Sequence, residues 1–215
     1  MRLVEDLGNN TAHYLIITGD GRTELKVLRA LSVKFNGKDL ILFFPFPPRQ
    51  KKKGLNALNA IKIYSNIGIN SIIFIVDGDI LEGEPANIKI QEYLKSIGIQ
   101  IESIIPIQDA LLLSCKSGNR EIKLFCIISG PQTFIEEEIA ELIKLTLRIG
   151  IDLSGDRDSN WKGRVKRDIK RILRENNTNI EKLISKTGIR KLETSFPNIS
   201  AAFKKIEEDF IRKNS

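Results

Sequence analysis

The chain has 215 residues, 41% of them hydrophobic and 28% charged, with a formal net charge of +7. At the usual domain size that is one full domain with a smaller part attached, rich enough in apolar side chains for a core, so two large domains and wholesale disorder are excluded. His13 is the single histidine, which excludes sites built on two imidazoles and leaves carboxylates as the groups expected to do any chemistry.

Residues 14–18 are a short apolar run ending in Gly19-Asp20-Gly21, after which Leu25, Val27, Leu28 and Leu31 recur at helical spacing. The pattern predicts strand, turn, helix. A strand over 39–44, a helix over 55–65 and a strand over 71–76 follow, the last almost wholly apolar. A strand without polar alternation is buried on both faces, as in a parallel sheet covered by helices. A helix over 86–97, strands over 101–105 and 122–128, and a helix over 133–147 complete an α/β body with five predicted strands. The last of these helices buries Ile135, Ile139, Leu142 and Ile143; Glu137 and Glu138 in its first turn read as complements to the helix dipole rather than ligands of a second metal. The polar stretch 152–160 marks a boundary, giving an α/β domain over 1–150 and a basic helical C-terminal region over 151–215, with helices over 161–174 and 199–211.

The positive charge is segregated. Residues 161–215 hold 15 Lys and Arg against 7 Asp and Glu, a net of +8, whereas the first 160 residues hold 19 against 20. In 161–174 the apolar stripe of Trp161, Val165, Ile169, Ile172 and Leu173 is expected to dock on the body and leave Arg164, Lys166, Arg167, Lys170, Arg171 and Arg174 over the other faces. Such a helix suits a phosphate backbone, because each neutralised phosphate releases counterions. A solvated helix whose cationic stems only cover its flanks is the competing reading. The loop after the second strand adds Arg49, Lys51, Lys52 and Lys53, and Arg22 in the first turn is a further phosphate candidate.

In open α/β sheets, ligands sit outside the carboxyl ends of the strands. The first predicted strand exits at Asp20 and the third at Asp77-Gly78-Asp79. If those strands are neighbours, three carboxylates converge on a site that needs a cation, and few hard oxygen ligands suit Mg²⁺, with Mn²⁺ as a substitute. The chemistry implied is metal-assisted phosphoryl or phosphodiester transfer. Against this, Asp-Gly-Asp is a common turn, Asp20 is also a suitable helix cap, and Glu24 suits a helix first turn. Gly19, Gly21 and Glu24 do not make a dinucleotide fingerprint, because glutamate stands where the third glycine is needed, and no P-loop string occurs. A metal-dependent glycosyltransferase shares the acidic pair but not the need for a basic tail.

The stretch from Tyr14 to Leu31 resembles the first motif of the Toprim domain, an apolar strand, then E-G-x-T-[DE], then an apolar helix, and Ile72 to Asp79 resembles its DxD motif. The resemblance covers about residues 14–130 and is nearest to the Toprim domains of OLD-family nucleases. It implies a Rossmann-like, mainly parallel sheet flanked by helices, followed here by the helical appendage. It assigns acid–base work to Asp20, Mg²⁺ to Asp77 and Asp79, and a supporting metal role to Asp20 or Glu24. Aspartate replaces the family's glutamate at Asp20, which withdraws the carboxylate by about 1.5 Å.

The expected function is therefore Mg²⁺-dependent phosphodiester chemistry on DNA or RNA, hydrolysis first, with a non-catalytic nucleic-acid binding or regulatory subunit as the alternative. A separate ATPase or helicase and a homodimer are the partners considered. Cys115 and Cys126 lack zinc or redox spacing, and the chain shows neither a bilayer-length apolar run nor a signal peptide, so a cytoplasmic location without a membrane partner is expected.

Overall fold

The central strands are apolar on both faces, and helices cover both. The computed structural model describes residues 1–18, 21–37, 39–45, 54–81, 85–107, 110–129, 134–154 and 160–214, and only the backbone of 79, 80, 213 and 214. Its seven strands are β1 (Arg2–Val4), β2 (Tyr14–Thr18), β3 (Ile41–Phe43), β4 (Ser71–Asp77), β5 (Gln100–Ile107), β6 (Ala110–Ser117) and β7 (Arg120–Ser129), in one sheet of order β1-β3-β2-β4-β7-β6-β5. From β1 to β7 every pairing is parallel, whereas β6 runs antiparallel to both β7 and β5. The fold is thus a mixed, mainly parallel sheet flanked by helices.

Leu15, Ile17, Ile72, Phe74, Val76, Leu124 and Cys126 point to one face, where a 3₁₀ turn (Gly54–Asn59), α2 (Ala60–Asn66) and α3 (Ala86–Ser96) bury Leu58, Ile61, Ile90 and Leu94. The alternate residues Tyr14, Ile16, Ile73, Ile75, Phe125 and Ile127 meet the other layer. That layer holds α1 (Arg22–Ser32), α4 (Ile135–Leu147), α5 (Trp161–Glu175), α6 (Ile180–Lys186), α7 (Ile189–Ser195) and α8 (Pro197–Asn214). The period of two in the strands therefore sorts the chain into two packed layers.

The C-terminal helices belong to the same core as the sheet. Thirteen of their residues, among them Trp161, Ile169, Ile184, Phe196 and Phe203, join the cluster that contains Leu28, Ile75 and Ile127. At roughly 2 kcal/mol each, their burial is worth on the order of 25 kcal/mol, more than the net stability of a typical domain. The amine of Lys34, just after α1, donates to the carbonyls of Ser185 and Thr187 at the end of α6. Asn198 Nδ2 on α8 donates to the carbonyl of Ile128 at 2.9 Å.

The five predicted strands are present, and two more appear. β1 is a three-residue edge strand, and β6 forms a hairpin with β7 through Gly118-Asn119. Gly118 has φ 58°, a left-handed conformation that suits a two-residue hairpin turn. The predicted 55–65 helix begins as the 3₁₀ turn, and α6 and α7 are additional short helices.

Candidate functional site

β2 and β4 are neighbours, and Thr18 at the end of β2 pairs with Ile75, two residues before Asp77. The strand order reverses between them: from β2 the chain moves outward to β3, whereas from β4 it moves to the opposite half of the sheet. This is the crevice at which open α/β sheets place ligands. Gly21 opens α1 there with φ 102° and ψ −45°, a backbone conformation that glycine enters without penalty and other residues rarely adopt. Beyond it, Glu24 is buried in the first turn of α1 and Arg22 is exposed.

Asp77 is 7% exposed. Its Oδ1 accepts the backbone N–H of Ile135 at 3.3 Å, and its Oδ2 meets the Lys162 ammonium at 2.9 Å. A carboxylate from β4 thus caps α4, whose own N-cap residue, Phe134, has no side-chain cap, and ties α4 to α5. The Lys162 amine also lies 4.7 Å from the centre of the Phe134 ring, which meets Trp161 edge-on at 5.1 Å. Aromatic contact and ion pair together fix the start of α5 against the sheet edge.

The first turn of α4 buries three consecutive glutamates, Glu136, Glu137 and Glu138. Burial there leaves their interaction with the helix dipole less screened than in solvent. Ser129, at the end of β7 and in register with Asp77, donates through Oγ to Glu138 Oε2 at 3.0 Å. Lys166 reaches Glu136 Oε1 at 3.1 Å, and the other oxygen of Glu136 has no hydrogen-bond partner among the described residues. Lys162 and Lys166, one helical turn apart on α5, are therefore both turned toward buried acids.

The remaining cations of α5 divide differently. Arg167, Lys170, Arg171 and Arg174 are exposed, and Arg164 is half-buried. Arg171 lies 3.1 Å from Asp168 on its own helix. Asp20, Arg49, Lys51, Lys52 and Lys53 lie outside the described residues, as does the side chain of Asp79. Of the sequence-predicted acids, Asp77 and Glu24 are thus the two whose side chains are described, and both are buried near the same sheet edge. Lys162, Glu136 and Ser129 are site residues that sequence reasoning did not select. Lys162 and Asp77 are 85 residues apart, and neither belongs to a pattern that would pair them.

The donor chemistry at this edge, carboxylate oxygen without imidazole or thiolate, is of the kind Mg²⁺ takes. Among the described residues no three acidic, histidine or cysteine side chains gather closely enough to hold a metal ion, and no helix is long and apolar enough to cross a membrane. Comparison with models of known protein families, with curated proteins and with solved structures gives no match.

Proposed function

We propose that the chain is a Toprim-like protein that carries out Mg²⁺-dependent hydrolysis of a phosphodiester bond in DNA or RNA. The observation supporting this reading is the buried carboxylate of Asp77 at the exit of β4, beside β2, at the reversal of strand order. Asp77, Asp79, Asp20 and Glu24 are the residues that would hold the ion, and Asp20 would also move the proton. Bound Mg²⁺ would neutralise charge building on the reacting phosphate. Asp77 has to release Lys162 to take the ion, and the ammonium, which also lies over the Phe134 ring, would then be in a position to meet a phosphate oxygen. The exposed cations of α5 would hold the rest of the polymer. The buried free thiols of Cys115 and Cys126 are consistent with the reducing cytoplasm proposed as its location.

A second reading is favoured by one observation: both oxygens of Asp77 have partners within the chain. In that case the acids are structural ties, and the protein binds nucleic acid without cutting it, alone or beside an ATPase or helicase. Cleavage assays with Mg²⁺ on single- and double-stranded DNA and RNA separate the two. Cleavage by the wild type that falls at least about 100-fold in Asp77→Ala, with binding retained, supports the hydrolase. Salt-sensitive binding without cleavage by either protein overturns it in favour of the binding module. Mn²⁺-dependent binding of a nucleotide sugar, with neither of these activities, overturns both.

A further inference from the structure

We infer that the open cleft between the end of α4 and the junction of α6 and α7 binds a phosphate group carried on an organic body. The cleft has a volume of about 620 Å³, within the range of small-molecule sites. It lies about 17 Å from the acidic edge, reckoned along α4 from Glu136 to Leu147. Leu147, Leu183 and Ile189 give it apolar walls, and Lys186, Arg190 and Lys191 supply three positive charges.

Among the described residues no carboxylate lines the cleft, and neither Lys186 nor Arg190 has an acidic partner. Lys191 is partly committed, since its amine donates to the carbonyl of Leu145 at 2.8 Å near the end of α4. The hydroxyl of Thr187 is turned inward to the carbonyl of Leu183 at 2.7 Å, so the cations are the groups left to recognise a ligand. Above Gly188, between the Lys186 and Arg190 positions, a Cβ would meet nothing within 4 Å, so a ligand can approach the backbone there.

Charge selects the ligand class. A carboxylate brings one negative charge to this concentration of cations, whereas a phosphomonoester brings close to two at neutral pH and offers three acceptor oxygens to an arginine fork and two ammonium groups. The apolar walls suit the carbon skeleton that bears it. A free phosphomonoester such as a nucleotide and the terminal phosphate of a nucleic-acid strand share this chemistry, whereas an internal phosphodiester carries a single charge and two free oxygens.

The test is calorimetric titration of the full chain with inorganic phosphate, adenosine 5′-monophosphate and a short 5′-phosphorylated single-stranded oligonucleotide, paired with backbone-amide NMR. Saturable binding is expected, with the amides of Thr187 to Arg190 shifting in the wild type. Lys186→Ala with Arg190→Ala should weaken it at least about 10-fold. Both residues are exposed, and an unchanged circular dichroism spectrum checks the fold. If the monophosphate saturates the cleft and the oligonucleotide does not compete, the ligand is a small phosphomonoester. If the oligonucleotide is the probe that loses affinity in the double variant, the ligand is a polymer. Failure of every probe to bind, equal affinity in the double variant, or shifts confined to other residues overturns the inference. None of these outcomes depends on cleavage at Asp77.

Discussion

The two sides of α5 carry the same residue types in opposite circumstances. On the side toward the sheet edge, Lys162 and Lys166 end on the buried acids Asp77 and Glu136. On the outer side, Arg167, Lys170, Arg171 and Arg174 face solvent. A cation that neutralises a buried carboxylate is a structural element, because removing it strands a charge in low dielectric. A cation in water contributes little to stability and remains available to an anionic partner. The net charge of the C-terminal region therefore overstates what it can offer to a nucleic acid.

That contrast can be broken most severely from beneath. Trp161→Ala removes the ring that packs edge-on against Phe134 and is expected to cost about 3–5 kcal/mol in urea unfolding. If α5 were only a loosely docked appendage, the loss would fall below about 1 kcal/mol. Alkylation of Cys115 and Cys126 offers an independent readout. Burial pushes the Cys115 thiol up to about 12 and raises that of Cys126 further, so neither should react until the chain unfolds.

The ion pairs come next. A double-mutant cycle of Asp77→Asn and Lys162→Ala should yield a coupling of about 1–3 kcal/mol, reduced because Lys162 is partly solvated. The same cycle on Asp168 and Arg171, an exposed pair on one helix, should give no more than about 0.5 kcal/mol. Equal couplings would erase the distinction between the two sides.

Combined alanine substitution of Arg167, Lys170 and Arg174 should leave stability within about 0.5 kcal/mol of wild type. Under the proposed function it should reduce the slope of log affinity against log salt for duplex DNA by about 0.9 for each phosphate that is no longer neutralised. An unchanged slope would mean that the outer side does not touch the polymer.

A further modest effect concerns an acid on α8. Burial works against the charge on Asp209, but Lys123 and Lys205 outweigh it and hold the carboxyl below its ordinary value of 3.8. A carboxyl lowered in the folded state stabilises the protein above its unfolded pKa, and that contribution disappears as pH falls through the folded value. Because the site is partly open to solvent, the difference should be under about 1 kcal/mol. Urea melts between pH 5 and 2 should show a loss that Asp209→Asn reduces by that amount.

The fold was legible wherever one physical signal dominated. The unbroken apolar run of β4 marks a doubly covered strand, and the stripe in α5 names its five buried residues correctly. β6 escaped because Ala110-Leu-Leu-Leu113 suits helix and strand alike, and Leu has no branched Cβ to decide the matter. The local clue was Gly118-Asn119, a pair suited to a two-residue hairpin turn. At the site, Asp77 stood out because a strand ends on it. Lys162 did not, because its significance comes from where α5 docks, and tertiary packing decides that. The buried first turn of α4 shows the same limit: three glutamates in sequence look like solvated charge until the opposing cations are placed.

The way α8 closes the fold bears on how the chain matures. Phe203 and Ile206 belong to the cluster that receives Phe125 and Ile127 of β7, yet they are made well after that strand. At ordinary elongation rates, several seconds on the order of magnitude separate synthesis of that strand from arrival of its cover. During that interval part of the sheet's apolar face lacks its cover, and aggregation competes with folding.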